Sequence, residues 1–130
     1  MTWVGVINKG LLVFLEIHRD DTDERCTYLI KKLLALRIFA NDDKPLNCTV
    51  VESGGSILMV SQFTLYADCR KGNRLSFSQS MPSAEAERVY QRFIARLEAI
   101  SSVKIQAGIF GASMQVSLIN DGPVTLILDA

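Results

Sequence analysis

Residues able to do chemistry gather in three short stretches, SQFTLYAD at 61–68, CRKGNRLSFS at 69–78 and MQVSLINDGPVTLIL at 114–128. In the first, Ser61, Gln62 and Thr64 crowd together at the end of an apolar run, which could place hydroxyl, amide and backbone N–H donors at a strand end. An alternating strand that simply leaves its sheet accounts for the same pattern. In the second, Arg70, Lys71 and Arg74 surround Gly72, a compact cationic loop suited to phosphate, although a solvated charged loop has the same composition. In the third, Asp121-Gly122 between two β-like runs predicts a tight turn. Pro123 follows at once, however, and proline cannot donate to a ladder, so this stretch reads as backbone presented to another group.

The familiar catalytic sets are missing. His18 is the only histidine, and its place before a charged helix start marks it as a surface residue rather than a base. No G-x-S-x-G, Walker loop, H-E-x-x-H or G-x-G-x-x-G occurs. Asp20, Asp21 and Asp23 could pass for metal ligands, yet acids at a helix start are accounted for by capping and the helix dipole, and nothing completes a calcium pattern. Cys26, Cys48 and Cys69 are widely spaced and odd in number, with no C-x-x-C pair, so neither a disulfide framework nor a zinc site is expected. The expectation is a chain with no metal and no cofactor.

The elements that must position these residues follow from periodicity. Residues 10–17 read as a largely buried strand, with 4–7 pairing to it through the Asn8-Lys9-Gly10 turn. A helix follows, with Asp21 and Glu24 in capping-box spacing and Leu29, Ile30, Leu33 and Leu36 on one face. ANDDKPLN is a turn-rich connection. Residues 49–52 and 57–64 read as strands joined by a hairpin turn at Ser53-Gly54-Gly55-Ser56. A second helix starts near Pro82 and places Ala86, Val89, Tyr90, Phe93, Ile94, Leu97 and Ile100 at three- and four-residue spacing. Residues 104–106, 114–119 and 124–128 complete a strand-rich tail. Two helices among six or seven strands argue a mixed α/β or α+β domain.

At 130 residues the chain, 1–130, fits one domain, and 48% hydrophobic with 22% charged residues excludes a mainly disordered protein. Formal net charge is +0, so any polyanion must be held by a local patch, with few phosphate contacts and a shallow salt dependence. The apolar run at 11–17 is interrupted by Glu16 and has no small-residue cleavage pattern behind it. No signal peptide and no membrane span is read, which leaves a cytoplasmic location as the default.

Taken in order, LRIF after the first helix, SQFTL, the basic loop ending in SFS, and MQVSLINDGPVT resemble the D-aminoacyl-tRNA deacylases, hydrolases that check the chirality of charged tRNA. The pairing of S-Q-x-x-L with N-x-G-P-V-T is the specific part of the match. Family members usually begin with a further strand ahead of the segment matching VGVINKG, whereas this chain starts Met1-Thr2-Trp3-Val4 and is expected to lack that strand. Leu75 stands where a proline is usual, and Ser113 where an aspartate is common.

The resemblance implies a D-aminoacyl-tRNA deacylase-like fold with a mixed, barrel-like sheet, and a homodimer with active sites at its interface. The reaction implied is cleavage of the ester between a D-amino acid, or mischarged glycine, and the 3′-terminal adenosine of tRNA. The tRNA is the implied partner, with no membrane and no DNA. Ser61, Gln62, Phe63 and Thr64 would surround the ester and adenosine. Thr64 matches a threonine proposed as nucleophile, although the sequence shows no base to activate it. Gly122-Pro123 would be cis and enter the partner's pocket as a backbone wall against an L side chain, flanked by Asn120, Val124 and Thr125. Met114 and Gln115 would shape the pocket, core packing being an equal account of Met114. Arg70, Lys71 and Arg74 would hold tRNA phosphate. Two other readings compete: a degenerate homologue that binds the tRNA acceptor end without turnover, and a related deacylase with a trans Gly-Pro that accepts certain L-aminoacyl-tRNAs.

Overall fold

In the computed structural model, which describes residues 3–130, the apolar runs and helical periodicities become β1 (Gly10–Leu15), α1 (Asp23–Ala35), β2 (Phe39–Asn41), β3 (Lys44–Cys48), α2 (Val50–Ser53), β4 (Ser56–Ser61), α3 (Ser83–Ile100) and β5 (Ile105–Ala107). The main sheet has the order β1-β4-β5 with both pairings parallel, and β2-β3 forms a separate antiparallel pair. The fold is therefore mixed α/β as expected, with three helices instead of two, and its main sheet is open and wholly parallel where a mixed, barrel-like sheet was expected. Parallel neighbours require crossovers, here the α1-to-α2 stretch between β1 and β4 and α3 between β4 and β5.

The central strand, SILMVS, is apolar on both faces because both are covered, and Ile57, Met59 and Val60 are buried. Against it pack Cys26, Ile30 and Leu33 of α1 and Ala86, Tyr90, Phe93, Ile94 and Leu97 of α3. Tyr90 puts its ring in this core and donates its hydroxyl to the Met59 carbonyl at 3.3 Å, so its polar end is satisfied. Ile100 ends the stripe exposed.

Several boundaries differ from the sequence expectation, each for a local reason. Residues 49–52 start a helical turn instead of a strand. Thr49 Oγ1 accepts the Glu52 N–H and the Glu52 carboxylate accepts the Thr49 N–H, a reciprocal cap that overrides the β preference of Val50-Val51. With that strand gone, Ser53 to Ser56 is a helix exit and not a hairpin. The ANDDKPLN connection is itself a hairpin, β2 and β3 turning at Asp42-Asp43. The cap of α1 is Thr22, whose hydroxyl accepts from Arg25 N–H, while Asp21 accepts the His18 N–H one turn earlier. Residues 4–7 are not a strand: Gly5 lies across the sheet, near the Leu58 side chain and the Ala107 carbonyl, instead of beside β1. Residues 114–119 and 124–128 are not strands either. They find no backbone ladder to join, and Ile119 and Ile127 are each 93% exposed.

Candidate active site

Parallel strands bring their carboxyl ends to one edge, the usual place for a ligand in an open α/β sheet. Here β1 ends at Leu15 opposite Ser61, and the β4–β5 ladder runs one bond past β5, Gly108 N–H reaching the Met59 carbonyl at 2.9 Å. Gly111 N–H then points at Ser61 Oγ, 3.4 Å away. Gln62 N–H continues the ladder by one more bond, to the Leu15 carbonyl at 2.9 Å, and there the strand stops. Residues 63–66 form a turn, so the strand is shorter than the expected 57–64.

Two of the four N–H groups of that turn are bonded, as is that of the residue after it. Leu65 N–H bonds the Gln62 carbonyl, Ala67 N–H bonds the Thr64 carbonyl, and Tyr66 N–H bonds the Glu16 carboxylate. Among the hydrogen bonds of the described residues, the adjacent N–H groups of Phe63 and Thr64 have no acceptor. Successive backbone donors left open in a turn are the kind of group that can hold an anion. The Gln62 side chain donates to Thr64 Oγ1 at 2.6 Å, and among the described residues no carboxylate or imidazole bonds that hydroxyl. Phe63, 61% exposed, leans on Phe77 of the SFS stretch with ring centroids 5.2 Å apart. Phe77 is not among the candidate residues of the sequence, and the signal for it is an aromatic in a largely polar loop.

The cationic loop is closed at its base by paired backbone bonds between Asp68 and Ser76, at 2.8 and 2.9 Å. Arg70 folds back on Asp68 through Nε at 3.0 Å and Nη2 at 2.8 Å, and this guanidinium holds the Asp68 carboxyl down at about 2. Lys71 and Arg74 make no ion pair among the described residues. His18, read as a surface residue, is largely covered, with 20% of its side chain exposed. Its Nδ1 accepts the Asp20 N–H and its ring stands edge-on to Tyr66. Asp23 pairs with Arg92 and Arg96 at 3.8 and 3.5 Å. Among the described residues no group of three His, Cys, Asp or Glu side chains could hold a metal ion, and no helix is long and apolar enough to cross a membrane.

The loop at 120–125 is held by one side chain. Asn120 accepts the Val124 N–H at 3.0 Å and donates to Thr125 Oγ1 at 2.8 Å, clamping both sides of Gly122-Pro123, whose peptide is cis. Gly122 sits at φ +136°, and a Cβ there would come within 2.9 Å of Val124 Cγ2, so only glycine suits the position. Among the described residues no hydrogen bond links this loop to residues 61–64, and the loop is exposed throughout. Met114 packs its thioether over Gly108, close to where a Cβ would stand, while Gln115 is exposed.

Open backbone donors at the ends of parallel strands, beside a hydroxyl with no base bonded to it among the described residues, are groups suited to meeting an oxygen that gains charge. The model of the D-Tyr-tRNA(Tyr) deacylase family matches residues 1–129, and the chain belongs to that family. A D-aminoacyl-tRNA deacylase of Desulfatibacillum aliphaticivorans is 49% identical over 127 residues, covering 98% of this chain and 86% of that protein. Its counterpart in Thermotoga petrophila is 46% identical over 127 residues, 98% of this chain and 85% of that one. Among solved structures, the c-Myc DNA Unwinding Element Binding Protein superposes with a TM-score of 0.90 at 38% identity, covering 95% of this chain and 84% of that one. A probable eukaryotic D-amino acid tRNA deacylase gives a TM-score of 0.63 at 20% identity over 78% of this chain and 74% of that one, a likeness of fold. The chain is thus a hydrolase of the D-aminoacyl-tRNA deacylase class.

Proposed function

We propose that the chain cleaves the ester of D-aminoacyl-tRNA, and of glycine mischarged on tRNA, releasing the free amino acid and tRNA as a chiral check on translation in the cytoplasm. The observation that carries the reading is the pair of open N–H groups at Phe63 and Thr64. The ester carbonyl sits against them, and as water adds, the oxygen that gains charge meets donors already in place. Thr64 Oγ1, occupied by the Gln62 amide, positions the ester without attacking it. Water assisted by the 2′-hydroxyl of the tRNA's own terminal ribose is the nucleophile, held in reach by Ser61 and Gln62. Phe63 and Phe77 offer an aromatic face to the terminal adenine.

Lys71 and Arg74, with Arg70 fixing the loop, meet the acceptor-stem phosphates. Specificity for configuration cannot come from gripping a side chain that varies, so it comes from excluding the wrong hand. Backbone atoms of Gly122-Pro123, clamped by Asn120 and flanked by Val124 and Thr125, supply that wall to a second subunit, with Met114 and Gln115 lining the approach. A homodimer follows, and exposed Ile119 and Ile127 beside the loop support it.

The test is release of D-tyrosine and L-tyrosine from their charged tRNAs by the purified chain, with duplex DNA added as competitor. D-selective release that DNA does not suppress is the expected result. No release from either tRNA by folded protein that still binds tRNA would overturn the hydrolase reading in favour of a binder without turnover.

A further inference from the structure

Among the described residues, Glu16 is the one acid that reaches into the 63–66 turn from another strand exit. It follows β1 directly, and its two carboxylate oxygens are divided between two segments distant in sequence. Oε2 accepts the Tyr66 N–H at 2.5 Å, and Oε1 accepts the Ser80 hydroxyl at 2.5 Å. Tyr66 closes the turn that carries Phe63 and Thr64, and Ser80 lies in the strip that bridges to His18 just before α3.

We infer that Glu16 is a positioning residue for deacylation: by drawing in the Tyr66 N–H it sets the pitch of the 63–66 turn and leaves the Phe63 and Thr64 N–H groups facing the ester. The inference rests on the hydrolase reading above. Its geometry is specific. At its start the turn is fixed by the Gln62 bond to Leu15, within the backbone ladder. At its end no backbone acceptor takes the Tyr66 N–H, and the Glu16 carboxylate does so instead. A charged acceptor makes a shorter and stronger bond than an amide would, and the Ser80 hydroxyl stops the carboxylate from rotating away. Without it, Tyr66 N–H competes for the nearby carbonyls and the donors meant for the ester lose their direction.

Single-turnover hydrolysis of D-tyrosyl-tRNA, with tRNA affinity and thermal melting measured alongside, tests this. Glu16→Ala is expected to slow the chemical step by at least about tenfold, as small misplacement of reacting groups does, while tRNA affinity stays within about twofold. Glu16→Gln keeps one acceptor oxygen for Tyr66 and is expected to recover much of the rate. Ser80→Ala, which removes one bond and no charge, is expected to fall between wild type and Glu16→Ala, and decides the matter if Glu16→Ala does not fold. An unchanged chemical step in folded Glu16→Ala, or in both milder variants, overturns the positioning role while leaving the hydrolase intact. Wild-type protein that releases no D-tyrosine overturns the hydrolase reading itself, and the inference with it.

Discussion

Thr64 is where the proposed chemistry is most open to test. A hydroxyl that receives an amide N–H at 2.6 Å and has no base beside it is a weak nucleophile. Thr64→Ala should therefore keep substantial deacylation, with kcat down by no more than about tenfold, or about 1.4 kcal/mol in the barrier. Complete loss with tRNA binding intact would make Thr64 the nucleophile. Tyr66, two residues on, holds the C-terminal tail by donating its hydroxyl to Asp129 at 2.9 Å. Burial first, and then this hydrogen bond and the Asp129 charge, push its phenol up to about 12 from a usual 10.0. The folded state thus holds the proton that the unfolded chain releases first. The associated stability is complete below pH 10 and is lost as pH rises through 12. The difference in phenolate absorbance between wild type and Tyr66→Phe should titrate near 12, and a midpoint near 10 would mean that the tether does not form in solution.

At the scale of elements, the parallel pairing of β1 with β4 depends on a backbone contact that no side chain fits. A Cβ on Gly10 would stand 1.8 Å from the Ser56 carbonyl oxygen, so Gly10→Ala should prevent the strands from pairing in register and yield little folded protein, as circular dichroism would show. The α2 turn is a milder case. Thr49→Ala removes a side-chain acceptor from its cap and should cost about 1 kcal/mol, read from the urea midpoint at unchanged slope.

Both features also mark what could be read in advance. The α3 stripe and the β1 and β4 runs were legible because burial writes itself into residue type at fixed period. T-V-V-E at 49–52 was misread because two β-branched residues outweighed a capping spacing that was there to see. The tail was misread because alternation records which faces could be buried, not whether a neighbouring strand is present. At the site, SQFTL could be recognised but the open N–H pair could not. It depends on which carbonyls and which carboxylate the other donors find, and those acceptors lie on β1 and in the turn itself.

For the whole molecule, the exposed apolar tail is the feature to explain. Isolated soluble chains rarely leave residues such as Ile119 and Ile127 open at 93% beside Leu118 and Leu126. Sedimentation should give twice the 14.4 kDa of one chain, and Ile127→Glu should shift the mass towards one chain and lower D-selective release together. A monomer with full selectivity would remove the need for a partner's loop. The site itself is joined from three strand exits, at Leu15, Ser61 and Ala107, that lie far apart along the chain. No fragment holding only one or two of them contains the whole arrangement. During refolding, recovered turnover should therefore lag behind recovered helix signal, which makes deacylation a clock for the last step of assembly rather than for collapse.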